Sequence, residues 1–209
     1  MEISVQSVIQ FLAVHPLWAA LGTFAVAFGE SLVIVSFAFP GMAIVVVAGV
    51  LISIGDLPVL PFLIGGVLGA IAGDGVSYWM GRRFGNAARQ AWPLDRNADL
   101  VSLGAWFFEH HGGAGIIVGR FFGPLRATVP LAAGILQMRG GHFWVANVLS
   151  AIIWAPWVLL QGAIIGALIK RSGPYEGLLS LTIIFLAAFA IVSASVAVSR
   201  RRTPRPTCP

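Results

Sequence analysis

Polar residues are sparse along this chain, and their positions divide it into apolar runs of unequal length. The run 177–199 holds neither charge nor proline. Its length suits a hydrocarbon core of roughly 30 Å, which takes about 20 helical residues to cross. Residues 58–81 and 142–169 form two further runs of spanning length. Gly69 and Gly73 in one, and Gly162 and Gly166 in the other, have the spacing that lets helices approach closely. Two apolar regions do not read as single spans. Residues 17–56 are too long for one helix and awkward for two, because Glu30 interrupts the run and Pro40-Gly41 breaks it. The piece 41–55 alone is too short to cross. A re-entrant hairpin with its tip at Pro40-Gly41 fits better, since irregular backbone at membrane depth is tolerated only where it is buried in protein or lines a cavity. Residues 113–138 repeat the situation, with a break expected around Pro124 to Pro130. Between 95 and 111, Leu100, Leu103, Trp106 and Phe107 recur at helical spacing, with Asp99, Ser102 and Glu109 elsewhere on the wheel. That pattern predicts an amphipathic helix lying on the membrane surface, and residues 3–13 have the same character.

The order of these elements repeats. FLIGGVLGAI (62–71) aligns with FWVANVLSAI (143–152) without a gap, and AGVL (48–51) pairs with AGIL (133–136) once a few residues are inserted. The expected fold class is an all-α polytopic membrane protein. It comprises an inverted repeat of surface amphipathic helix, re-entrant helical hairpin and transmembrane helix, plus a C-terminal transmembrane helix. A single membrane domain is expected over 1–199, with repeat one at about 3–85, repeat two at about 95–169 and the last span at 177–199; residues 200–209 form a basic disordered tail. Inverted repeats with broken helices are a transporter signature.

Composition agrees. Of 209 residues, 58% are hydrophobic and 10% charged, against about 25% charged in soluble domains. Mean hydropathy is +0.90, which makes this an integral membrane protein. The net charge of +5 is distributed unevenly. With a cytoplasmic C-terminus, Arg82, Arg83, Arg89, Arg96, Arg139, Arg200, Arg201, Arg202 and Arg205 lie inside, and only Lys170 and Arg171 lie outside. That bias follows the positive-inside rule and makes the two hairpins open to opposite sides. It also accounts for the basic clusters without nucleic acid as a partner. Cys208 is the single cysteine, so an intrachain disulfide and a structural Cys-based zinc site are excluded, and its position does not fit a prenylation box. The start, MEISVQSVIQ, lacks a basic n-region, so a removable signal peptide is not expected.

The residues that carry chemistry are those that violate the apolar pattern. Arg120 and Arg126 lie in an otherwise apolar stretch, where an arginine costs roughly 2.5–3.5 kcal/mol on insertion scales. Fixed positive charge at that depth points to an anionic ligand. Six residues apart on one helix, they would point about 120° apart, so a break at Pro124 is needed for both to converge. Guanidinium groups bind phosphate in bidentate fashion. Glu30 and Asp74 are candidates for a proton or charge-switch role, or for ion pairs with the two arginines when no ligand is bound. Adjacent His110 and His111 diverge by about 100° on a helix, which disfavours joint metal ligation, and neither a metal nor a cofactor is expected. Asn147 is expected to make an interhelical hydrogen bond. A lipid phosphatase would need a histidine at membrane depth and a rhomboid-like protease a serine in another setting than that of Ser77, so an enzyme is not expected.

Taken together, FGES…FPG, GDGVSYWMGRRFG, GRFFGPLRATVPLAAG and F…N…W resemble the DedA family, also described as SNARE-associated or VTT-domain membrane proteins, over roughly residues 25–165. The resemblance implies two opposed re-entrant hairpins and transport of a lipid phosphate. In bacteria this means undecaprenyl phosphate or a related phospholipid crossing the inner membrane, with protons involved. The substrate phosphate falls to Arg120 and Arg126, and the proton or charge-switch role to Glu30 and Asp74. Pro40, Gly41, Pro124 and Pro130 form the hairpin tips, with Tyr78, Asn147 and Trp154 supporting. The family's usual acid after the first Pro-Gly is Met42 here, which leaves proton coupling open. A small-ion or oxyanion transporter, and a general phospholipid scramblase, are the alternative functions; a homodimer is an open alternative to a monomer.

Overall fold

The computed structural model describes residues 5–36, 41–85, 106, 110, 114–117, 119–121 and 123–172. Its elements are α1 (Val5–Val14), α2 (Pro16–Ser31), α3 (Val33–Ser36), α4 (Gly41–Gly55), α5 (Val59–Phe84), α6 (Gly123–Ile135) and α7 (Gly140–Ser172), with no strand among the described residues. The chain divides into units at Gly166; the second, 167–209, is described only to Ser172. The expected last span at 177–199, most of the surface helix at 95–111 and the tip residue Pro40 lie outside the described residues.

Helix α1 turns by 109° into α2 at His15-Pro16. Pro16 opens α2, where a missing N–H breaks no intrahelical bond. With 16 and 15 residues, α2 and α4 are about 24 and 22 Å long, short of a bilayer core. They run antiparallel: a side chain at Gly41 would meet Glu30 near the end of α2, and one at Gly55 would meet Ile9 of α1. This is the geometry of a hairpin that enters and returns. Helices α5 and α7 are each long and apolar enough to cross a membrane. They extend a few residues beyond the expected spans 58–81 and 142–169.

The second break differs from expectation. The backbone turns at Arg120-Phe121, ahead of Pro124. Pro124 falls in the first turn of α6 and Pro130 inside it, so Pro130 is not a tip residue. A first-turn proline sacrifices no intrahelical bond. At Pro130 the bond to the Arg126 carbonyl is lost, yet the helix continues. Val129, Leu131, Ala132 and Ala133 are buried around it, and tertiary packing outweighs one missing hydrogen bond.

The two halves cross each other through equivalent glycines. A side chain at Gly162 of α7 would strike the Val46 carbonyl of α4, and one at Gly81 of α5 would strike the Leu131 carbonyl of α6. Reciprocally, Gly49 abuts the Leu159 carbonyl and Gly134 the Tyr78 carbonyl. In the register that aligns 62–71 with 143–152 and 48–51 with 133–136, these contacts map onto one another pair by pair. Each hairpin's second limb therefore packs on the span of the other half. Helix α2 packs on α5, where side chains at Gly65, Gly69 and Gly73 would run into the backbone carbonyls of Ala20, Phe24 and Phe28. Gly69→Ala should therefore lower the unfolding temperature in detergent, at an overpacking cost of roughly 1–3 kcal/mol. Gly22→Ala, where a Cβ meets nothing within 4 Å, should be neutral or stabilising by up to about 1 kcal/mol.

Candidate functional site

Four charged side chains meet where the hairpins converge. Glu30 is in the last turn of α2, Asp74 midway along α5, Arg120 in the turn before α6, and Arg126 in the first turns of α6. All are buried, with relative exposures of 7%, 1%, 3% and 5%. Uncompensated charge at such burial is prohibitively costly, and the four side chains neutralise one another as two pairs, Arg120 with Asp74 and Arg126 with Glu30.

The pairs are built differently. Arg120 is densely held: besides Asp74, its Nη1 donates to Ser150 Oγ (2.7 Å) and the Asn147 carbonyl (3.2 Å), and its Nη2 to Asn147 Oδ1 (3.2 Å) and the Ala70 carbonyl (3.4 Å). Asn147 is itself fixed, as its Nδ2 donates to the Ile71 carbonyl at 3.1 Å. Arg126 is sparsely held. Its Nη1 donates to Glu30 Oε1 at 2.6 Å and its Nη2 reaches Ser31 Oγ at 3.4 Å. Its guanidinium carbon lies 3.9 Å from the centre of the Trp154 ring, a cation–π contact between buried groups. Arg126 Nε, Glu30 Oε2 and Asp74 Oδ1 have no hydrogen-bond partner among the described residues, so Arg126 is the guanidinium with an unpartnered donor. Glu30 also stands against Gly41, the first residue of α4. The carboxylate thus lies between the N-terminal end of α4 and an arginine in the first turns of α6, and helix N-termini favour negative charge.

The expected residues divide accordingly. Glu30, Asp74, Arg120, Arg126, Asn147 and Trp154 come together, and Gly41 provides the close approach to Glu30. Tyr78 serves another contact: its hydroxyl donates to the Met138 carbonyl (2.6 Å) and accepts from Arg82 Nη1 (2.9 Å), and its ring stacks on Phe143. It clasps the α6–α7 turn to the end of α5. Ser31 and Ser150 escaped sequence reasoning. A signal for Ser150 existed in the internal alignment, where Gly66, Gly69 and Gly73 of α5 correspond to Asn147, Ser150 and Trp154 of α7. Gly69 and Gly73 admit α2; their counterparts Ser150 and Trp154, with Asn147, hold the arginines.

A VTT domain matches residues 39–164. The chain belongs to the VTT-domain family of DedA membrane proteins. It is 32% identical to inner membrane protein YabI of Escherichia coli, over 84% of this chain and 71% of that protein. To protein DedA of Escherichia coli it is 31% identical, over 76% of this chain and 74% of that protein. An uncharacterized membrane protein of Buchnera aphidicola is 33% identical, over 69% of this chain and 58% of that protein. No solved structure is a significant match. Within this DedA protein, the unequal pairs make unequal demands. Asp74→Ala leaves a fully enclosed guanidinium without counter-charge and should cost roughly 3–5 kcal/mol of stability. Glu30→Gln retains the volume at a pair with fewer bonds and should lower the unfolding temperature markedly less. Thermal unfolding of both variants in the same detergent checks the order.

Proposed function

We propose that this DedA-family protein carries a lipid phosphate across the bacterial inner membrane, undecaprenyl phosphate or a related phospholipid, by exchanging the Glu30 carboxylate for the lipid's phosphate on Arg126. The observation that carries this reading is the unfilled bonding at that pair. Among the described residues Arg126 Nε and Glu30 Oε2 have no partner, Glu30 abuts the N-terminal end of α4, and Arg126 lies in the first turn of α6. A phosphate offers at least the negative charge of Glu30 with more acceptor oxygens, and a guanidinium takes it through two parallel bonds. Half-helix N-termini aimed at the anionic part of a substrate are a recurring device of inverted-repeat transporters.

In this mechanism Arg120 does not exchange. Bound to Asp74, Asn147, Ser150 and the Ala70 carbonyl, it fixes the turn before α6 and adds positive potential. Glu30, displaced from Arg126, leaves a buried charge that is relieved by a proton or by movement toward water. Proton coupling in this protein therefore rests on Glu30 itself, because Met42 takes the place of a second acid.

The test is translocation in proteoliposomes. Arg126→Ala should slow movement of undecaprenyl phosphate by roughly tenfold or more, the loss of one charge-assisted bonding site of about 1.5–3 kcal/mol. Arg126→Lys should fall between, having charge without the fork. Wild-type speed in Arg126→Ala defeats the assignment. Currents with soluble oxyanions and no effect of lipid would select the small-ion reading instead.

A further inference from the structure

An apolar groove of about 220 Å³ runs between the two limbs of the first hairpin. Ala19, Thr23, Val45 and Phe62 form its buried floor, and Trp18 and Val47 stand exposed at its rim. We propose that this groove holds the hydrocarbon chain of a lipid whose anionic head is bound at Arg126, an inference that rests on the anion exchange set out above.

Three observations support a chain as the occupant. The groove points at the charge cluster: Glu30 is one helical turn beyond Val26 on α2, and Gly41 one turn before Val45 on α4, both on the faces that line it. The hydroxyl of Thr23 in its floor asks for no partner, since it is already donated to the Ala19 carbonyl at 2.8 Å. The helix walls are parted at Gly22, where a Cβ would meet nothing within 4 Å, whereas on the other side of α2 Gly65, Gly69 and Gly73 of α5 are pressed against its carbonyls. A lipid seated this way keeps its head at the buried charges and its chain along α2 and α4, with the far end emerging beside Leu12 and Trp18.

The experiment uses a long-chain alkyl phosphate with a diazirine in the chain, incorporated into nanodiscs with the full chain and mapped by peptide mass spectrometry. Label should concentrate on residues 18–26 and 44–51. Gly22→Leu should reduce it roughly tenfold or more, since each excluded methylene is worth about fourfold in partitioning. Gly22→Ala should label like wild type. Ala48→Leu, which closes the groove from the opposite wall, should repeat the loss and guards against a folding defect in the first variant. Label confined to the outward residues Leu60, Ile64 and Leu68, or unchanged in both leucine variants, overturns the groove. Equal labelling by the matching long-chain alcohol, still lost in Gly22→Leu, supports the groove as a chain site and defeats the phosphate reading at Arg126.

Discussion

Charge buried in a low-dielectric setting must be neutralised, and the architecture around residues 30, 74, 120 and 126 is organised to do so. Burial of one arginine would demand one acid, and two arginines demand two. The acids come from the opposite half of the chain: Glu30 from the first hairpin and Asp74 from the first span meet arginines of the second hairpin. Because breaking either pair strands a buried charge, the halves are bound to each other by electrostatic necessity. The crossing of α4 over α7 and of α6 over α5 supplies the packing that makes this convergence rigid.

The near-symmetry of the halves explains where the site can be. Glycine pairs at equivalent positions bring each second limb onto the other half's span, and Glu30, beside the N-terminal end of α4, meets Arg126 in the first turn of α6. A perfectly symmetric protein would place two helix backbones against the two spans in the same way. Here α2 takes that place on α5, using Gly65, Gly69 and Gly73. On α7 the positions matching Gly69 and Gly73 are Ser150 and Trp154, which together with Asn147 hold guanidinium groups. Function resides where the repeat departs from itself.

The two ion pairs also separate stability from exchange. A guanidinium whose two terminal nitrogens reach five acceptor atoms, as in Arg120, is a fastener, because any competitor must replace all of them at once. A guanidinium with one donor unspent and one face on an indole ring has a lower threshold for trading partners. Trp154 suits that role, since a ring face holds the cation in place without consuming its in-plane donors. The groove between α2 and α4 stops about one helical turn short of Glu30 and Gly41.

Much of this was legible without coordinates. The apolar runs identified α5 and α7, because twenty helical residues span a bilayer whatever they pack against. The anomalies Glu30, Asp74, Arg120 and Arg126 stood out because a charge inside an apolar stretch needs a reason. Spacing also marked Gly69, Gly73 and Gly162 as close contacts. Tertiary structure decided the rest. Pro130 stays inside a helix because buried neighbours compensate for its missing hydrogen bond, so the break moved to Arg120-Phe121. Which acid pairs with which arginine, and which arginine is held by more partners, depends on groups brought together from 46 and 96 residues away. Ser31 and Ser150 join the site through neighbours in space that local spacing cannot reveal. The sequence determined that charge would be buried; only the packing of the two halves determined which arginine was left with a bond to offer.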